Sequence, residues 1–129
     1  MGNQDNPRGP MFARPTDVLI VEDNYIIALD TEGMLQEMGI ETVRTANSIT
    51  QALAMIAERV PGYAFVDVNL GDEKSFAVAE KLHELGVPFA FATGYGSSDD
   101  FPPHFVTMPI VAKPYSLARL RFALFNQEE

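Results

Sequence analysis

Between Asp17 and Phe125, short apolar runs alternate with stretches in which apolar residues recur every three or four positions. "DVLIV" (17–21), "YAFVD" (63–67), "VPFAFA" (87–92) and "IVAK" (110–113) read as buried strands. "TVRTA" (42–46) is a weaker, more polar strand. Asn24 can cap a helix over 25–38, with Ile27, Met34 and Met38 on one face and "MGI" closing it at Gly39. Asn47 or Ser48 caps the next, where Ile49, Leu53, Ile56 and Val60 keep helical spacing until "PG" at 61–62 breaks it. A Gly-containing loop after Asp67 leads to a helix from about Ser75 to Leu85, carrying Val78, Leu82 and Leu85 on one side. Leu117, Leu120 and Leu124 give a closing helix the same spacing. The segment "TGYGSSDDFPPHFVTMP" is small, polar and Pro-rich, so any helix in it must be short.

Five strands alternating with helices predict an α/β domain, a doubly wound parallel sheet with helices on both faces. The opening "MGNQDNPRGPMFARP" reads as a flexible tail over residues 1–15, with the domain over 16–129; Met1 and Met11 both stand as the natural start. The length suits one core, and 47% apolar residues argue against a disordered chain. A net charge of −9 disfavours nucleic acid and anionic membrane, which are bound through Lys and Arg. With no cysteine there is no disulfide framework or thiolate site. No apolar run approaches the roughly 20 residues of a membrane span, and the opening lacks a signal-peptide core. The composition suits a cytoplasmic protein.

In such sheets, ligands sit beyond the carboxyl ends of the strands. There the chain places Glu22 and Asp23 after strand one, Asp67 on strand three, Thr93 on strand four and Lys113 on strand five. Singly, each has a plain alternative: solvated acid or helix cap, turn threonine, surface lysine. Together they form a set. Clustered carboxylates repel one another unless a cation enters. Oxygen-only ligands in a solvated pocket suit Mg²⁺, with Mn²⁺ as the alternative ion. Asp67 is placed to act as a nucleophile, Thr93 to donate to a phosphoryl oxygen and Lys113 to neutralise one.

"VLIVEDN", "YAFVDVNL", "FATGY" and "VAKPY" resemble the successive signatures of response-regulator receiver domains, over residues 17 to about 125. The resemblance implies the flavodoxin-like receiver fold, with strand order 2-1-3-4-5. It implies that Glu22 and Asp23 form an acidic pocket, that Asp67 accepts phosphate, and that the backbone carbonyl of Asn69 helps bind Mg²⁺. Thr93 and Lys113 would read the phosphoryl group, and the bond before Pro114 would be cis. "PFAFATGYG" (88–96) is similar to the FAT GUARD subgroup, linked to HWE-type and related sensor histidine kinases of alphaproteobacteria.

The chain departs from that pattern in places. Ile110 stands where most receivers carry a switching Phe or Tyr; Tyr95 either substitutes or simply covers the pocket. Pro102, Pro103 and Pro109 predict a short or irregular fourth helix. That makes order–disorder of the 94–108 loop a candidate switch. Asp72 and Glu73 read as solvated loop acids, and His83 and His104 as surface residues without ligand spacing.

The expected function is a stand-alone receiver. It would take phosphate from a sensor histidine kinase onto Asp67, then act by docking with a downstream protein or by phosphorelay, as a monomer or weak homodimer. Leu117, Arg121, Phe125 and the Tyr95–Met108 loop are candidates for its contact face. It would not be an enzyme beyond its own phosphorylation and dephosphorylation. The alternatives are a phosphorylation-independent adaptor and a small Mg²⁺-dependent phosphatase. The phosphatase would need a second acid where Asn69 stands.

Overall fold

A computed structural model describes residues 15–93, 110–112 and 116–125 of the chain. Within them lie β1 (Asp17–Val21), α1 (Tyr25–Glu37), β2 (Thr42–Ala46), α2 (Ile49–Glu58), β3 (Tyr63–Asp67), β4 (Asn69–Leu70), β5 (Glu73–Lys74), α3 (Phe76–Glu84), β6 (Phe89–Thr93), β7 (Ile110–Ala112) and α4 (Leu117–Phe125). Strands β2-β1-β3-β6-β7 form one sheet in that order, all parallel. Numbered within the sheet alone, this is the expected 2-1-3-4-5. The expected short or irregular fourth helix falls on residues outside the described ones.

The strand alternation divides the core between the two faces. Val18, Ile20, Tyr63, Phe65, Ala90, Ala92 and Val111 pack with Leu35 of α1 and with Leu120 and Leu124 of α4. Leu19, Val21, Ala64, Val66, Phe89 and Phe91 pack on the other side with Ala52 and Ile56 of α2 and Val78, Ala79 and Leu82 of α3. A period of two on every strand thus builds both layers.

Helix ends follow the capping residues. Asn24 Oδ1 accepts from the Ile27 N–H at 3.1 Å, and Ser48 Oγ from the Gln51 N–H at 3.1 Å. At the end of α1, Gly39 takes φ +94°, its N–H bonds the Gln36 carbonyl, and the Ile40 N–H bonds that of Leu35. This pattern closes a helix through a left-handed residue, and buried Ile40 seals it against Leu35.

Two apolar positions assigned to helix faces lie elsewhere. α2 stops at Glu58 because Arg59 is already extended, and the backbone before Pro61 disfavours helix, so Val60 is exposed. Leu85 caps α3 at its exposed end instead of packing beneath it. On α1, Ala28, Thr31 and Leu35 are buried together with Met38, while Ile27 and Met34 pack at the margin.

At the amino end of the sheet, Asp17 accepts from Arg44 Nε and Nη2, both at 3.1 Å, and pairs with Arg59 Nε at 2.8 Å. Arg44 also donates to the carbonyl of Met55, which accepts the Arg59 N–H as well, and to that of Arg59 just past the end of α2. One guanidinium therefore joins β1, β2 and the α2 terminus. Arg44→Met is expected to lower the unfolding free energy by about 2 kcal/mol. Urea unfolding measures this; an unchanged midpoint would mean that the more exposed Arg59 suffices for Asp17.

Tyr63 is fully buried, and among the described residues its hydroxyl has no hydrogen-bond partner. Burial pushes the phenol above its ordinary pKa. At neutral pH the unpartnered hydroxyl is a cost, and because ionisation is suppressed only in the folded state, stability also falls as pH climbs past the unfolded value, near 10. Tyr63→Phe is therefore expected to gain about 1 kcal/mol at neutral pH and to lessen the alkaline decline in melting temperature. A less stable variant would reveal a hydrogen bond to this hydroxyl.

Candidate functional site

The site lies where the strand order reverses, between β1 and β3, at their carboxyl ends. Glu22 follows β1 and extends the ladder, its N–H bonding the Ala46 carbonyl at 2.9 Å. Asp67 is the last residue of β3. Both are buried, Glu22 to 1% exposure and Asp67 to 3%, whereas Asp23 is open to solvent. A carboxylate oxygen from each of Glu22, Asp23 and Asp67 lies within 4.8 Å of the other two.

Backbone donors hold each acid. Glu22 Oε2 accepts from the Asn24 N–H at 3.1 Å, and Asp67 Oδ1 from the Asn69 N–H at 3.4 Å. Asp23 Oδ2 accepts from the Gly71 N–H at 2.8 Å. These donors are neutral, and they serve a cluster of three acidic side chains, two of them buried. The donor set is all oxygen, one of its members is open to water, and its spacing lets one small hard cation touch all three. The residues fit Mg²⁺.

The segment after Asp67, expected as a loop, is a two-residue-stranded hairpin. Asn69 pairs with Lys74 and Leu70 with Glu73 across a turn at Gly71–Asp72. Gly71 has φ +60°, as the first turn position of a type II′ hairpin requires, and no other residue type enters that region readily. Leu70 anchors the hairpin in the core, Lys74 Nζ donates to Asn69 Oδ1 at 2.6 Å, and Asp72 and Glu73 are exposed as expected.

The remaining candidates are placed less completely. Thr93 ends β6 opposite Ala112, on the same edge of the sheet as Asp67. Ile110 begins β7 and is half exposed. Lys113, Pro114, Tyr95, His104 and the 94–108 loop lie outside the described residues. His83 is exposed on α3.

Sequence reading missed two features. Ser75, at the head of α3, touches Asp67 itself: its hydroxyl donates to the Asp67 carbonyl at 2.6 Å. The signal available was a capping residue eight positions after the acid, which reads only as a helix start. Tyr25, Ile26 and Leu29 also form an exposed apolar strip at the start of α1, beside the pocket. Periodicity marks the inner face of a helix and says nothing about apolar residues on the outer one.

Comparison with known proteins agrees with this geometry. The family model for the response regulator receiver domain matches residues 18–124. The phyllosphere-induced regulator PhyR of Methylorubrum extorquens is 31% identical over 126 residues, covering 88% of this chain and 45% of that protein. The chain thus spans less than half the length of the curated relatives it matches. Among solved structures, SdrG from Sphingomonas melonis Fr1 superposes with a TM-score of 0.75 at 39% identity, covering 84% of this chain and 92% of that one. The BeF3-activated conformation of SdrG from Pseudomonas melonis Fr1 gives 0.71 at 37% identity, with the same coverage.

Proposed function

Because the chain belongs to the response regulator receiver domain family of two-component signalling, we propose that Asp67 accepts a phosphoryl group from a sensor histidine kinase. The observation that carries this is the convergence of Glu22, Asp23 and Asp67 within 4.8 Å at the switch point of the sheet. An Asp67 carboxylate oxygen attacks phosphorus, an O–P bond forms, and the P–N bond to the kinase imidazole breaks, the ring nitrogen keeping the bonding pair. Glu22, Asp23, Asp67 and the Asn69 carbonyl are the ligands that would hold Mg²⁺. The ion, when bound, offsets the negative charge of acceptor and phosphoryl group. Thr93 would donate to one phosphoryl oxygen and Lys113 would pair with another.

Acylphosphate at Asp67 then biases two conformations of the domain, and the favoured one docks with a downstream protein or passes the phosphate on. The strip of Tyr25, Ile26 and Leu29 beside Asp23 supports a protein donor, since a kinase that brings its phosphohistidine to Asp67 meets this surface. The "PFAFATGYG" stretch, within which Phe89–Thr93 forms β6, supports membership of the FAT GUARD subgroup and a kinase of HWE type. SdrG, solved in a BeF3-activated conformation, supports a response to a phosphoryl mimic. Nothing in the geometry favours the adaptor over the receiver reading.

Intact mass after incubation with acetyl phosphate tests the proposal. One phosphoryl adduct is expected with Mg²⁺ and none after chelation. If no adduct forms, and BeF3⁻ with Mg²⁺ also leaves the amide spectrum unchanged, the domain is an adaptor.

A further inference from the structure

Ser75 occupies the N-cap of α3, where a serine ordinarily accepts a hydrogen bond from the first turn. It makes no such side-chain bond. It is fully buried, and its hydroxyl is turned back to the carbonyl of Asp67 at 2.6 Å. An N-cap bond stabilises a helix, so the hydroxyl forgoes one stabilising role to fill another.

The geometry of the sheet explains why that carbonyl needs a donor. The Val68 N–H bonds the Ala92 carbonyl at 3.0 Å, so it points toward β6. In a planar trans peptide the Asp67 carbonyl then points the opposite way, toward β1. The ladder between β1 and β3 ends at the Val21–Val66 pair, and the next N–H of the chain, that of Glu22, is directed to Ala46 of β2. An unpaired buried carbonyl is costly, and the Ser75 hydroxyl meets it.

The Ser75 N–H also bonds the Val68 carbonyl at 2.9 Å. One residue thus holds two successive carbonyls. The 67–68 peptide plane is gripped at both ends, by Ala92 on one side and Ser75 on the other. From this plane the Asp67 side chain departs on one side, and the chain runs on to Asn69 on the other.

We infer that Ser75 is a positioning residue of the ion site, its hydroxyl setting the aim of the Asp67 carboxylate toward Glu22 and Asp23 and the path of the backbone to Asn69. The inference rests on the Mg²⁺ reading of the acidic cluster given above. Groups that orient metal ligands typically change metal affinity by ten- to a hundredfold when removed. Ser75 acts through a backbone group, which places it at the lower end.

The test is calorimetric titration of Mg²⁺ into the wild-type chain, Ser75→Ala and Ser75→Cys, with melting temperatures measured in parallel. Cysteine fills the volume while keeping only a weak donor, so it carries the test should the alanine variant fail to fold. Ser48→Ala, which removes the α2 cap bond to Gln51, controls for a purely structural loss. Both Ser75 variants are expected to bind Mg²⁺ about tenfold more weakly, while Ser48→Ala melts earlier and binds as wild type. Folded Ser75 variants with wild-type Mg²⁺ affinity would overturn the positioning role alone. No Mg²⁺ binding by the wild-type chain would overturn the ion site, and the inference with it.

Discussion

Asp67→Asn is expected to abolish the Mg²⁺-dependent phosphoryl adduct while raising the melting temperature of the metal-free protein. The amide keeps the shape of the carboxylate but lacks the anionic oxygen that the proposed attack on phosphorus requires. It also removes one of three like charges gathered within 4.8 Å, two of them buried. Such a pair at about 4 Å repels by roughly 1–4 kcal/mol across the range from bulk water to a partly screened protein site. Relief of that repulsion should show as a rise of a few degrees. In the wild type, added Mg²⁺ should raise the melting temperature, because a ligand of the native state stabilises it by mass action. The variant should show a much smaller rise. An adduct that persists in Asp67→Asn would move the acceptor to another residue. A lower metal-free melting temperature would mean that backbone donors already neutralise the acids.

Phe91→Ala should have the largest effect on stability, about 3–5 kcal/mol. Phe91 is fully buried on β6, edge-to-face with Phe89 at 5.4 Å and with Phe76 of α3 at 5.9 Å. Removing the ring leaves a cavity between the sheet and α3 and breaks both aromatic contacts. The loss compares with the whole stability of an ordinary domain, 5–15 kcal/mol or so. Urea unfolding should show a much lower midpoint with an unchanged slope. Phe122, on the exposed side of α4, offers the contrast: Phe122→Ser should stay within about 0.5 kcal/mol of wild type. A tolerated Phe91→Ala would mean that the α3 face can collapse onto the vacated space. The prediction bears on function as well. Phe91 lies two residues before Thr93 within the "FATGY" stretch, and its burial makes it part of the scaffold. A signalling defect in a Phe91 variant would therefore reflect unfolding of the domain.

The aromatic and aliphatic runs of β1, β3 and β6 were legible because a strand buried on both faces leaves a continuous apolar signature. "MGI" at the end of α1 was legible for a local reason, since the left-handed turn that glycine permits needs no distant partner. Val60 and Leu85 were misplaced because periodicity continues past the point where the backbone turns away. The hairpin at 69–74 was not legible as such. Its strands are two residues each, too short for any alternation to register, and Leu70 alone ties it to the core.

The candidate site divides along the same line. Glu22, Asp23 and Asp67 could be grouped from sequence alone, because parallel βαβ units bring every strand's carboxyl end to one edge whatever the helices contain. Residue type and strand position together were enough to name the three acids that converge. The sequence by itself also determined the two-layer core, through the period of two along each strand. Only the tertiary structure decided how the acids are held. Gly71 reaches Asp23 across 48 positions of chain, and Ser75 donates to the Asp67 carbonyl from the head of α3. Such contacts depend on where strands stop and peptide planes face, and these are set when the sheet assembles, not by any local preference of the residues involved.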